Sequence, residues 1–183
     1  MNMAARDTPP PPPSDALVCF TDGACTANGK KGARAAFAVV WPEHPDLDSA
    51  EVLTAGTATN NRAEYSALLR AFEQADGLDP GFSRTLVVYT DSMLLLNTVS
   101  KWMSGWKRKG WKKADGGVVA NLDLVKAIDE CATRRRVDMR HVKAHTGKKD
   151  WASVYNDRVD QLATGALKQT RVTMDRFIVH TFT

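Results

Sequence analysis

Four acids in this sequence stand out by where they fall. Val18-Cys19-Phe20-Thr21 and Leu86-Val87-Val88-Tyr89-Thr90 are β-prone runs that lead into Asp22 and Asp91. Strands that end this way place their carboxylates at the carboxyl edge of a sheet, where open α/β sheets carry their chemistry. If the two strands are parallel neighbours, Asp22 and Asp91 meet, and like charges that close are costly unless protons or cations answer them. Glu64 sits in the first turn of a predicted helix. Asp160 lies on the last helix, four residues after Asn156. Taken singly, each acid reads as a surface charge, and Glu64 suits a helix N-terminus on its own account. Taken together, they form an oxygen-only ligand set with no clustered His or Cys, which suits Mg²⁺ or Mn²⁺ and not zinc. Two divalent ions would offset four negative charges, and a pair about 4 Å apart is the usual clamp for in-line attack on a phosphodiester.

The elements that must position these acids follow from periodicity. Residues 1–15 form a tail, because the proline run Pro9–Pro13 favours an extended, solvated helix. Leu17–Phe20, Ala35–Trp41 and Glu51–Thr57 read as three strands with short connections, hence an antiparallel meander. Asn60 or Asn61 is a good N-cap for a helix carrying Tyr65, Leu68, Leu69, Phe72 and Ala75 at helical spacing, broken at Gly77–Gly81. Leu86–Thr90 is the next strand. A helix between strands implies a right-handed crossover and parallel neighbours. Met93–Ser100 and Leu122–Arg134 are helices, Val137–Val142 is a strand, and a final helix runs from about Val154 to Leu167. Phe177–Thr183 is expected as a strand or a docked tail. The fold class is α/β, with one domain over 16–169 and a C-terminal tail over 170–183.

Composition bounds the function. The 183 residues are 43% hydrophobic and 25% charged, ordinary for a soluble domain, with no apolar run of membrane-spanning length and no secretory leader. Cys19, Cys25 and Cys131 are an odd number and are read as reduced thiols, which predicts an intracellular protein, cytoplasmic or nuclear. The net charge is +4, and Lys101, Lys107, Arg108, Lys109, Lys112 and Lys113 lie in a segment without an acid. Without those six charges the rest of the chain is at −2. A local basic patch predicts a polyanion docking at one place. Trp102, Trp106 and Trp111 interleave with the cations, and Trp102 and Trp106 share a helix face. Cations for phosphates with aromatic faces for sugars or bases is a nucleic-acid pattern.

From about Leu17 to Gln169 the chain resembles ribonuclease H, type 1. The resemblance rests on Thr21-Asp22-Gly23, Thr59-Asn60-Asn61-Arg62-Ala63-Glu64, Tyr89-Thr90-Asp91-Ser92-Met93, the stretch from Trp102 through Trp106-Lys107 to Trp111-Lys112, Val142-Lys143-Ala144-His145, and Asn156-Asp157-Arg158-Val159-Asp160. It implies a ribonuclease H-like α/β fold, a five-stranded mixed sheet of order 3-2-1-4-5 flanked by helices. It also implies an endonuclease that cleaves the RNA strand of an RNA/DNA hybrid, leaving a 5′ phosphate and a 3′ hydroxyl. By match, Asp22, Glu64, Asp91 and Asp160 hold two Mg²⁺, with Mn²⁺ as a substitute, and His145 assists proton transfer or product departure. Gly23, Ala24, Cys25, Asn28, Asn60 and Asn61 match positions that read the RNA 2′-hydroxyls. Trp102, Trp106, Lys107, Lys109 and Trp111 match the grip on the DNA strand. Thr59 and Asn121 match a phosphate pocket.

Two departures stand out. The family often places an arginine two residues before that threonine, and here the residue is Thr57, so either the grip on the DNA strand is weaker or Lys and Arg elsewhere replace it. The stretch from His145 to Asp160 is longer than usual and brings in Trp151 as a further candidate contact. No hybrid-binding module precedes the proline run in this sequence, so processivity from one is not expected. The default expectation is a monomer. Resolvases and integrases of the same fold lack the tryptophan and lysine handle, and a non-catalytic binding module would not need all four acids.

Overall fold

The computed structural model describes residues 11–144, 147 and 149–179, with side chains to residue 169. Five strands, β1 (Leu17–Thr26), β2 (Arg34–Val40), β3 (Ser49–Val52), β4 (Leu86–Thr90) and β5 (Val137–His141), form one sheet in the order β3-β2-β1-β4-β5. The β3-β2-β1 side is antiparallel, and β1, β4 and β5 are parallel. This is the expected mixed sheet. β1 is longer than expected. Gly23–Thr26 continue the strand instead of turning, because β2 pairs with them as far as Thr26 opposite Arg34. β3 is displaced upstream to Ser49–Val52, its register fixed by Phe37 opposite Glu51.

Helices cover both faces: α1 (Asn60–Leu78), α2 (Met93–Asn97), α3 (Met103–Arg108), α4 (Leu122–Arg134) and α5 (Trp151–Val179). Alternation along the strands decides what each helix meets. Leu17, Cys19, Leu86 and Val88 face a core with Leu68 and Phe72 of α1, Leu95 of α2, and Val125 and Ile128 of α4. Phe20, Val87 and Tyr89 face the opposite side, against Val159, Ala163 and Leu167 of α5. Each fully buried Leu, Val or Phe of this kind contributes roughly 1.5–3 kcal/mol. Burial pushes the Cys19 thiol up, and all three cysteines are free.

Several boundaries differ from the sequence expectation. The N-cap of α1 is Thr59, not Asn60 or Asn61. Its extended backbone (φ −140°) lets the side chain accept from the Arg62 N–H. α1 passes through Gly77 to Leu78. The Met93–Ser100 helix is α2 followed by a π-helical turn, Thr98–Trp102, that leads into α3. α5 starts at Trp151, where the Asp150 carboxylate accepts from the Ser153 N–H and hydroxyl. It continues through 170–179, so Phe177–Val179 are helical rather than a strand, and residues 180–183 lie outside the described residues.

One buried cation ties the base of this frame. Arg135, 1% exposed, donates to the carboxylates of Asp76 and Asp79 and to the carbonyls of Ala75, Asp79 and Arg84. A buried guanidinium persists only when its donors are met in this way. The Arg84 N–H, and then Arg135, hold the Asp79 carboxyl down at about 2.

Candidate active site

Register brings the first two acids together. Phe20 pairs with Tyr89 across parallel β1 and β4. Two residues further along are Asp22, within β1, and Asp91, just past the end of β4. With a side-chain period of two, both carboxylates emerge on the same face at the carboxyl end of the sheet. Glu64 comes from the start of α1, which approaches β1 closely. A Cβ on Gly23 would lie 2.6 Å from the Glu64 nitrogen and 2.8 Å from the Ala63 Cβ, so only glycine permits the contact. One ligand oxygen from each of Asp22, Glu64 and Asp91 then lies within 4.8 Å of the other two.

Asp160 is outside that tight set. It is half-buried on α5, and its charge contributes to the potential at Asp22. Asn156, one helical turn earlier on the same face, is 3% exposed, and its Oδ1 has no hydrogen-bond partner. It belongs to a motif read in the sequence but was not assigned a role there. His145 lies outside the described residues.

The electrostatics are those of an unmet anionic cradle. Burial, then the Asp91 charge, raises the Asp22 carboxyl from 3.8 to about 7, against a 2.8 Å hydrogen bond from the Gly23 N–H. Burial, then the charges of Asp22 and Asp91, raises Glu64 well above the carboxylate range. The Oε2 of Glu64 is buried without a partner. Three clustered carboxylates, one with an orphaned oxygen, fit a hard divalent cation that accepts oxygen ligands.

The residues matched to RNA reading gather at the end of β1 and the start of α1. Gly23 and Ala24 are buried. Cys25 Sγ donates to the carbonyls of Thr26 and Ala58. Asn28 Oδ1 accepts from the Asn60 N–H at 3.2 Å, tying the turn after β1 to the helix start, with Asn61 exposed beside it. Thr59 and Asn121 flank Arg62, whose guanidinium donates to Asn121 Oδ1 at 3.5 Å and in bidentate fashion to Asp123 at 3.0 and 2.7 Å. Arg62 therefore brings a cation to the pocket where Thr57 has none. The sequence offered it in the Thr59–Glu64 motif but gave no sign that it reaches α4.

The tryptophans are less uniformly presented than expected. Trp102 is 39% exposed and lies 5.7 Å from Trp106, ring to ring. Trp106 and Trp111 lean on the core beneath, and Lys126 stands over the Trp111 ring. Lys107 is paired with Asp129 at 2.6 Å, and Lys109 is exposed. Trp151 is 46% exposed, with its edge against Phe20 and Tyr89. It closes an aromatic layer on the α5 side.

A family model described as RNase H matches residues 14–168. The chain belongs to the ribonuclease H family. Ribonuclease H1 of Rattus norvegicus is 35% identical over 157 residues, covering 85% of this chain and 52% of the rat protein. Ribonuclease H of Maricaulis maris (strain MCS10) is 37% identical over 156 residues, covering 85% of this chain and 95% of that protein. The chain thus spans about half the length of the mammalian relative and nearly all of the bacterial one. The solved structure of LC9-RNase H1, described as a type 1 RNase H with the type 2 active-site motif, is 25% identical with a TM-score of 0.61. It covers 84% of this chain and 72% of that one. The family's sheet order and the observed order agree. No helix among the described residues is long and apolar enough to cross a membrane.

Proposed function

We propose that this chain is an endonuclease that hydrolyses the RNA strand of RNA/DNA hybrids, leaving a 5′ phosphate and a 3′ hydroxyl. The observation that carries the reading is the cluster of Asp22, Glu64 and Asp91 oxygens within 4.8 Å, with charge that only protons or cations relieve. Family membership and the tryptophan and lysine segment support it. Asp22, Glu64 and Asp91, with Asp160 from α5, would hold two Mg²⁺, with Mn²⁺ as a substitute. Bound there, the cations would acidify the attacking water and stabilise the leaving 3′ oxygen.

The chain's own residues bind, orient and separate the strands. Gly23, Ala24, Cys25, Asn28, Asn60 and Asn61 present backbone and amide groups to the RNA minor groove, whose 2′-hydroxyls distinguish RNA from DNA. Trp102, Trp106 and Trp111 offer sugar-stacking faces to the DNA strand, and Lys107 and Lys109 its phosphate counter-charges. Thr59, Asn121 and the nearby Arg62 take a DNA phosphate; Asp123 must share Arg62 with it. His145 carries a proton at the leaving group or helps the product depart, a role that suits a side chain type whose unperturbed pKa is near neutral. The protein acts as an intracellular monomer.

The test is one labelled duplex prepared as RNA/DNA, RNA/RNA and DNA/DNA and incubated with Mg²⁺, Mn²⁺ or EDTA. Cleavage of the hybrid alone, abolished by EDTA, is expected. Equal cutting of RNA/RNA would refute hybrid selection, and cutting in EDTA would refute the cation requirement.

A further inference from the structure

The residue after Glu64 on α1 is Tyr65. It is 3% exposed, its ring is part of the central core, and its Oη lies 3.0 Å from Thr98 Oγ1. Thr98 is fully buried and opens the π-helical turn between α2 and α3. Its N–H is shared between the carbonyls of Leu94 and Leu95, and its carbonyl accepts from the Met103 N–H. A single π turn loosens the regular ladder, because one extra residue is accommodated per turn, and such turns concentrate at functional sites. The chain is therefore locally irregular at this turn, while beyond it Met103 and Trp106 pack against the core. The chain leaves the turn toward Trp102, Trp106 and Lys107. Among the described residues, no other side-chain hydrogen bond joins α1 to residues 93–108.

We propose that the Tyr65–Thr98 hydrogen bond is the joint that holds the tryptophan and lysine face at a set distance and angle from the Glu64 carboxylate, so that Tyr65 is a positioning residue for the DNA strand of the hybrid. This rests on the function proposed above. Both hydroxyls are buried, so neither touches substrate. A phenylalanine would fill the same core space, so the phenol oxygen is not required for packing. Its value lies in its partner, since a buried hydroxyl is costly without one. The bond links two elements at the one point where the handle's own helix is irregular. Losing it lets the handle sample other angles, and part of the hybrid's binding energy goes into restoring the productive one.

The experiment uses the full chain and its Tyr65→Phe, Thr98→Val, Thr98→Ser and Tyr65→Phe/Thr98→Val variants. Tyr65→Phe is expected to raise KM for the hybrid about threefold to tenfold, the scale of one net hydrogen bond. The kcat should stay within about twofold, and the salt dependence should keep its wild-type slope because no phosphate contact is lost. Thr98→Val should match it, the double variant should be no worse than either single one, and Thr98→Ser should keep the wild-type KM. The near-UV signal of the Trp102–Trp106 pair should change in Tyr65→Phe. A Tyr65→Phe protein that melts earlier with KM unchanged overturns the joint, because the bond then serves stability alone. So does a fall in kcat at constant KM, which would place the effect on the carboxylates. A wild-type chain that leaves the hybrid intact overturns the proposed function and the joint together. A wild type that cleaves the hybrid beside a Tyr65→Phe variant of wild-type KM overturns the joint alone.

Discussion

Replacing Asp91 by Asn should stabilise the cation-free protein at alkaline pH. Asp22 is raised from 3.8 to about 7 in the fold, by burial first and by the Asp91 charge second. A carboxyl whose pKa rises on folding holds its proton more tightly in the native state. Its cost is absent below about pH 4, grows as the pH climbs, and is complete above about pH 7. A rise from 3.8 to about 7 corresponds to roughly 4 kcal/mol in all. Two full charges no more than 4.8 Å apart at an effective dielectric constant near 20 repel by about 3 kcal/mol or more, so the Asp91 share is limited by the total shift and not by distance. Burial ranks ahead of Asp91, so removing that charge should recover about 1–3 kcal/mol. For a domain of this size that is a Tm gain of roughly 3–9 °C. The assay is thermal unfolding of wild type and Asp91→Asn in EDTA at pH 8 and at pH 4, repeated with Mg²⁺ at pH 8. The gain should be present at pH 8 and largely gone at pH 4, where Asp22 and Glu64 are protonated. Mg²⁺ should raise the wild-type Tm more than that of the variant. An Asp91→Asn protein that melts at or below the wild type at pH 8 in EDTA would refute the reasoning, as would a gap that is the same at both pH values. The same variant should lose Mg²⁺-dependent cleavage while still binding hybrid.

Further predictions concern the frame and the handle. Gly23→Ala must open the α1–β1 contact, where the new Cβ would meet backbone at 2.6 Å. Overpacking of this kind costs about 1–3 kcal/mol, so both Tm and Mg²⁺ affinity should fall, as unfolding scans and calorimetric titration will show. Arg135→Met should cost about 3–5 kcal/mol, because Asp79 and three carbonyls lose a buried partner. Denaturant titration reads that loss, and cleavage at low temperature should survive because Arg135 lies away from the acids. Trp106→Ala with Lys107→Ala should weaken hybrid binding and flatten its salt dependence by about one counterion. A slope equal to wild type would mean that Lys107 stays with Asp129 when the hybrid binds.

The sequence by itself determined the parts that repeat within one element. Alternation in Leu17–Phe20 and Leu86–Thr90 set which residues face which helix layer, and helical spacing from Tyr65 to Ala75 set the buried stripe of α1. The run ending in Asp91 placed that acid just past a strand end, whereas Asp22 lies inside β1, which runs on to Thr26. Choices between near-equivalent local options were less legible. Thr59, Asn60 and Asn61 can all cap a helix, and the extended backbone at Thr59 decided among them. β1 ran on through Gly23 because β2 offered partners there, which no local pattern in β1 reveals. Only tertiary structure decided distances between elements. It put three carboxylates within 4.8 Å and left Asp160 further out, turned Arg62 toward Asn121 across 59 residues of sequence, and joined Tyr65 to Thr98. The physical reason is that periodicity depends on the geometry of one chain segment. Such separations depend on strand register and on how closely helices pack, and these are settled only when the whole core closes.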